Sequence, residues 1–206
     1  MGVCLLMGGV AFLIAVLLGR PLVRTLRRLR LGKQIRIDGP ASHMVKQGTP
    51  TMGGLLIVGT ATVPFLVLSQ YTTEALTVLF LMLSCSAIGF VDDYLKLRRR
   101  HSLGLPGRWK MALLAVVTVI AALLLQETET FDTSVYLPLA GYDLDLGVAY
   151  YPFLFVVIAG TVNGANLTDG IDGLAAGVTT IMLLTFLAIT GISWLRSGVP
   201  GERSDV

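Results

Sequence analysis

The sequence predicts an all-α fold, a polytopic membrane helix bundle of about six transmembrane helices. Three observations carry this. Of 206 residues, 54% are apolar and only 14% charged, against about 25% charged in soluble domains, and mean hydropathy is +0.76. Six apolar windows recur, at residues 3–19, 52–69, 75–91, 111–125, 148–162 and 174–192, close to the roughly 20 residues that a spanning helix needs. The basic residues gather in two of the connections. No separate soluble domain fits, so residues 1–206 are read as one integral-membrane domain.

The first window lacks a basic n-region and a small-residue cleavage site, so it reads as a retained span. Cys4 and Cys85 both fall in apolar windows, which excludes a disulfide framework or zinc spacing. Ahead of the second window, Thr49 and Pro50 are the expected N-cap and first helical residue. Pro64 and the internal glycines are tolerable in membrane helices. Eight of the sixteen basic residues lie between Arg20 and Lys46, and six more between Lys96 and Lys110. The connection at 126–147 has none and carries Glu127, Glu129, Asp132, Asp143 and Asp145. The positive-inside rule therefore makes 20–50 and 92–110 cytoplasmic loops and puts the N-terminus outside. Counting on through the fifth window makes 163–173 a cytoplasmic loop too. Three polar segments thus share one membrane face.

Each segment has a plain reading beside a chemical one. SHMVKQGTPTMGG, residues 42–54, is a helix start, but its backbone and hydroxyl donors with Lys46 also suit an anionic group. GFVDDYLK, residues 89–96, closes the third window with Asp92 and Asp93. Adjacent helical residues point about 100° apart, so one carboxylate can take a divalent metal while the other accepts a proton or pairs with a lysine. The plain alternative is an interfacial acidic pair neutralised by Lys96, Arg98 or Arg99. Arg98–Arg100 read best as a topogenic basic cluster, whereas Lys110 divides evenly between that and a phosphate contact. His43 and His101 lack partners at metal-ligand spacing and read as loop residues.

The densest segment is NGANLTDGIDGL, residues 163–174, with two amides, two carboxylates and a hydroxyl between two apolar windows. Polar groups at the edge of hydrocarbon are costly unless paired. Asn163 and Asn166 are three apart, as are Asp169 and Asp172, so each pair shares a face if helical. Helix capping by Thr168 or Asp169 with glycine turns is the plain account. Capping rarely needs so many polar groups, and this oxygen density suits Mg²⁺.

In combination, IRIDGPASHMVKQGTPTMGG, GFVDDYLK, GRWK and NLTDGIDGLA resemble the phospho-N-acetylmuramoyl-pentapeptide-transferase (MraY) family, among the polyprenyl-phosphate N-acetylhexosamine-1-phosphate transferases. The likeness keeps the family's order and spacing over nearly the whole chain. It implies a Mg²⁺-dependent enzyme of peptidoglycan and cell wall biogenesis, hence of cell shape and division. Phospho-MurNAc-pentapeptide would pass from UDP-MurNAc-pentapeptide to undecaprenyl phosphate, giving lipid I and UMP. By motif position Asp92 is the implied base for the lipid phosphate, and Asp93 supports the metal and lysine network. Asp169 is the implied Mg²⁺ ligand. Lys46, Lys96 and Lys110 would meet phosphates or balance carboxylates. Asn163 and Asn166 would line the nucleotide and metal pocket, with Thr51 nearby and Asp172 counted on the substrate side.

The implied setting is the bacterial inner (plasma) membrane, multi-pass, with the active site facing the cytoplasm and a homodimer as the assembly. No nucleic-acid partner is expected. Family members have about ten spans, whereas this sequence stops at Val206 after six windows, without the family's later catalytic aspartate or His-rich loop. The expectation is a C-terminal truncation, with activity of the chain alone left open. Two other readings stand behind this one. A related transferase acting on another UDP-N-acetylhexosamine is disfavoured by GTPTMGG. A non-catalytic membrane subunit or transporter is disfavoured because the acids sit at span edges, while transport sites approach the midplane.

Overall fold

A computed structural model of the chain describes residues 2–28, 52–99, 104–128, 131–138, 140–169 and 173–197. Along it run α1 (Gly2–Arg28), α2 (Gly54–Leu68), α3 (Thr73–Arg99), α4 (Gly107–Gln126), β1 (Ser134–Leu137), β2 (Tyr142–Asp145), a 3₁₀ turn at Gly147–Ala149, α5 (Tyr150–Thr168) and α6 (Leu174–Ser197). Each helix carries one of the six apolar windows, so the chain is an all-α membrane bundle. Among the described residues five helices are long and apolar enough to cross a membrane, and α2, at 15 residues, is shorter.

Except for α2, the helices outrun the windows at their C-terminal ends. Backbone hydrogen bonding continues past the last apolar residue, and α1 and α3 end on Arg27–Arg28 and on Lys96, Arg98 and Arg99. Cations there complement the negative end of the helix dipole. At 27 residues α3 is about 40 Å long, against a hydrocarbon layer of about 30 Å. Its segment from Asp92 onward therefore reaches beyond the apolar layer. At α2 the start differs from expectation. The helix begins at Gly54 with Gly53 in the cap position, because Met52 has a left-handed backbone (φ +67°) that a right-handed helix cannot run through. Thr49 and Pro50 lie outside the described residues.

The chain divides into two compact units, Leu6–Ala159, and Gly160–Val206 with Met1–Leu5. The first is organised by α3 against α4. Leu114, Val117, Thr118, Ala121 and Ala122 are buried along one stripe of α4, and Thr77 and Ile88 are buried on α3. Small residues are what let helices approach in a membrane, where burial from water no longer drives association. The threonines satisfy their own hydroxyls. Thr118 Oγ1 donates to the Leu114 carbonyl and Thr77 Oγ1 to that of Thr73, each at 2.8 Å, so neither leaves a bare polar group in an apolar setting. Between α2 and α3 the chain turns through Tyr71 at φ +53°, whose hydroxyl donates to the Leu66 carbonyl and whose ring meets Phe65 edge-on.

A β-hairpin joins α4 to α5 and was not anticipated from the sequence. β1 and β2 pair antiparallel, from Ser134 opposite Asp145 to Leu137 opposite Tyr142. Gly141 takes φ +70° in its turn, where the Ala140 and Gly141 amides donate to the Leu137 carbonyl. In the second unit α6 is apolar on all sides and exposed along its length, including Ile181, Phe186 and Leu195. That pattern belongs to a helix facing lipid or other helices.

Candidate functional site

The end of α3 gathers three of the expected residues. Lys96 lies three residues after Asp93 and four after Asp92, so one ammonium can reach both carboxylates although they point apart. Its Nζ is 2.6 Å from Asp92 Oδ2 and 3.2 Å from Asp93 Oδ1. The cation paired with both carboxylates is therefore Lys96. The two acids differ in access, with the Asp92 side chain 15% exposed and that of Asp93 39%. Asp93 is the more open of the two carboxylates, and Asp92 is the more enclosed.

What encloses Asp92 is backbone. After α3 the chain returns through Gly104, Leu105 and Pro106, and the Leu105 amide donates to Asp92 Oδ1 at 2.7 Å. Leu105 precedes a proline and is thereby steered toward extended backbone. Pro106 (φ −54°, ψ 137°) is the N-cap of α4, and its carbonyl accepts the amides of Trp109 at 2.9 Å and Lys110 at 3.2 Å. Lys110 thus stands in the first turn of α4, half-buried, with no carboxylate partner among the described residues. Trp109 beside it is exposed, as aromatic residues at a membrane boundary often are.

In the second unit α5 continues through most of the polar stretch. Asn163 to Thr168 are helical, and the Asp169 amide still donates to the Ala165 carbonyl at 3.1 Å. Asn163, Asn166 and Asp169 therefore descend one side of the last two turns. Asn163 is half-buried, while Asn166 and Asp169 are exposed. Thr168 spends its hydroxyl on the Gly164 carbonyl at 2.8 Å. Asp169 has no ion-pair partner among the described residues. It also stands at a helix C-terminus, where unpaired carbonyls add partial negative charge. A carboxylate there suits a cation with waters of its own, as Mg²⁺ is. Gly173, at φ +80°, then turns the chain into α6.

The structure thus joins Asp92, Asp93 and Lys96, puts Lys110 on the helix that follows, and aligns Asn163, Asn166 and Asp169 in the other unit. Lys46, Thr51 and Asp172 lie outside the described residues. No group of three or more acidic, His or Cys side chains poised for a metal occurs among the described residues. Sequence reasoning missed Gly104 and Leu105. Gly and Pro in GLPG announce a turn, but nothing in the string says that its amide finds Asp92.

Residues 75–199 match the model of glycosyl transferase family 4, and residues 46–58 match phospho-N-acetylmuramoyl-pentapeptide-transferase signature 1. The chain is 43% identical over 188 residues to the phospho-N-acetylmuramoyl-pentapeptide-transferase of Clostridium botulinum (strain Alaska E43 / Type E3), covering 91% of this chain and 56% of that protein. The enzymes of that name from Clostridium kluyveri (strain ATCC 8527) and Desulforapulum autotrophicum are each 40% identical, over 89% and 87% of this chain. Those alignments cover 58% and 51% of the respective relatives. The chain spans a little over half the length of the curated relatives it matches.

Proposed function

The chain belongs to glycosyl transferase family 4, and on that premise we propose that it carries part of the catalytic centre of a phospho-MurNAc-pentapeptide transferase. The reaction joins undecaprenyl phosphate to UDP-MurNAc-pentapeptide, giving lipid I and UMP. A phosphate oxygen of the lipid attacks the sugar-side phosphorus of the donor. The new P–O–P link forms as the bond to the UMP oxygen breaks. The observation that carries this reading is the Asp92–Lys96–Asp93 cluster, placed where α3 leaves the apolar layer. A lipid-borne phosphate and a soluble donor can meet at such a depth.

Phosphoryl transfer asks for positioning and charge neutralisation more than for covalent chemistry. Asp92, held on two sides, takes the proton of the lipid phosphate. Asp93, the more open carboxylate, supports the metal and lysine network. Lys110, with no carboxylate partner among the described residues, meets a substrate phosphate, as does Lys46 from the signature segment. Asn163, Asn166, Asp172 and Thr51 bind the donor. Mg²⁺ held by Asp169 would neutralise the diphosphate and ease departure of UMP. The basic residues at the ends of α1 and α3 support a cytoplasmic position for this face at a bacterial plasma membrane.

The test is UMP release and radiolabelled lipid I formation by the chain in nanodiscs with both substrates and Mg²⁺. Asp92→Asn and Asp169→Asn should each lower turnover about a hundredfold or more. Label passing to the lipid from UDP-GlcNAc in preference to UDP-MurNAc-pentapeptide would move the chain to a related transferase. Unchanged turnover in both variants would dismiss the role assignment.

A further inference from the structure

We propose that Gly104 and the Leu105 amide form a backbone latch on Asp92, which makes Gly104 a positioning residue of the transferase site. The functional half of this rests on the reading given under Proposed function. The latch itself rests on geometry alone. Gly104 lies directly over the carboxylate. A Cβ built on it would overlap Asp92 Oδ1 and would come within 2.8 Å of both the Asp92 carbonyl oxygen and Lys96 Cε. One of these neighbours is main chain of α3 and cannot swing aside. Any L side chain at 104 must therefore push the turn off α3, and the Leu105 amide must leave Asp92 Oδ1 with it.

The amide is free to serve this purpose. The first turn of α4 closes on the Pro106 carbonyl through Trp109 and Lys110, so α4 does not need the Leu105 N–H. Pro106 has no N–H, which leaves Leu105 as the last donor before the helix. Its bond to Asp92 spans 13 residues and ties the end of α3 to the start of α4. Asp92 is then fixed from two directions, by Lys96 on Oδ2 and by Leu105 on Oδ1. One consequence is that the latch also determines where Lys110, one turn into α4, stands relative to Asp92. Gly107, three residues on, offers a built-in control, since a Cβ there would meet nothing within 4 Å.

The experiment follows amide hydrogen exchange at Leu105 by NMR in the ¹⁵N-leucine-labelled chain in nanodiscs, the peak being assigned with Leu105→Ile. Gly104→Ala and Asp92→Ala should each speed exchange about ten- to a hundredfold, the range expected for a lost bond to a charged acceptor. Asp92→Asn keeps an acceptor oxygen and should retain most of the protection. Gly107→Ala should retain it too. In the transferase assay Gly104→Ala should lower kcat about ten- to a hundredfold with KM for both substrates within about twofold, since the residue orients Asp92 and binds nothing. Equal exchange in Gly104→Ala and wild type would overturn the latch. Lost protection with kcat unchanged would overturn the positioning role. A wild-type chain that makes no lipid I would count against the transferase reading, and the exchange data would still decide the latch.

Discussion

Two helices carry aspartate toward their C-terminal ends, Asp92 and Asp93 in the last turns of α3 and Asp169 just after α5, and the two surroundings differ. At α3 the acids come with their own cation and their own amide, for Asp92 has Lys96 at 2.6 Å and the Leu105 N–H at 2.7 Å. At α5, Asp169 is exposed, has no ion-pair partner among the described residues, and adds its charge to a helix C-terminus. At the first end one ammonium is shared by two carboxylates and the geometry is held by backbone. The second has no cationic partner among the described residues. Clustered carboxylates are therefore not interchangeable evidence for a metal. What distinguishes them is whether the chain already supplies the counter-charge.

The strongest way to break this contrast is to remove the charge at each end. Lys96→Gln leaves Asp92 and Asp93 adjacent without their shared ammonium. Turnover should fall about ten- to a hundredfold, and the α3 end should lose about 1 kcal/mol, the scale of partly exposed ion pairs. Asp169→Asn should do the opposite to stability when no divalent cation is present. Relieving a carboxylate at a helix C-terminus should gain about 0.3–1 kcal/mol. Urea titration of the chain in mild detergent reads both. Destabilisation by Asp169→Asn would mean that an unseen cation already compensates that charge.

A smaller effect is expected at the hairpin, where a third acid is stabilised by neutral donors. The Thr133 hydroxyl at 2.6 Å, and then the Gly147 amide at 2.8 Å, hold the Asp145 carboxyl below its ordinary value of 3.8. A folded value below the unfolded one contributes stability that is fully present above the unfolded value. It is lost as pH falls through the folded one. Hairpin amide shifts should therefore hold at pH values above 3.8 and begin to move only below it. In Thr133→Val the movement should be centred at higher pH. An identical pH profile in the variant would remove Thr133 from the account.

How far these features could be read from the sequence depended on how local their causes are. The six helices were legible because each carries an apolar window and polar or charged residues separate the windows. Lys96 as the partner of both acids follows from its spacing along one helix. The ends of α3 and α5 were not legible from hydropathy, because backbone hydrogen bonding ignores where apolar residues stop. The start of α2 depended on the left-handed backbone of Met52, an unusual state for that residue. The hairpin hid in an acidic connection, although the alternation around Val135 and Leu137 and the glycine at 141 carry its signal. The Gly104–Leu105 latch was out of reach, since its partner lies more than ten residues away and its donor is a backbone amide common to nearly every residue.

The most direct test of the central contrast uses a metal alone. Mn²⁺ titrated into the chain, in nanodiscs of zwitterionic lipid and read by electron paramagnetic resonance, should bind in wild type and in Asp92→Asn alike. In Asp169→Asn, binding should weaken about tenfold or more. Binding that survives Asp169→Asn but disappears in Asp92→Asn would place the cation at α3 and contradict the account.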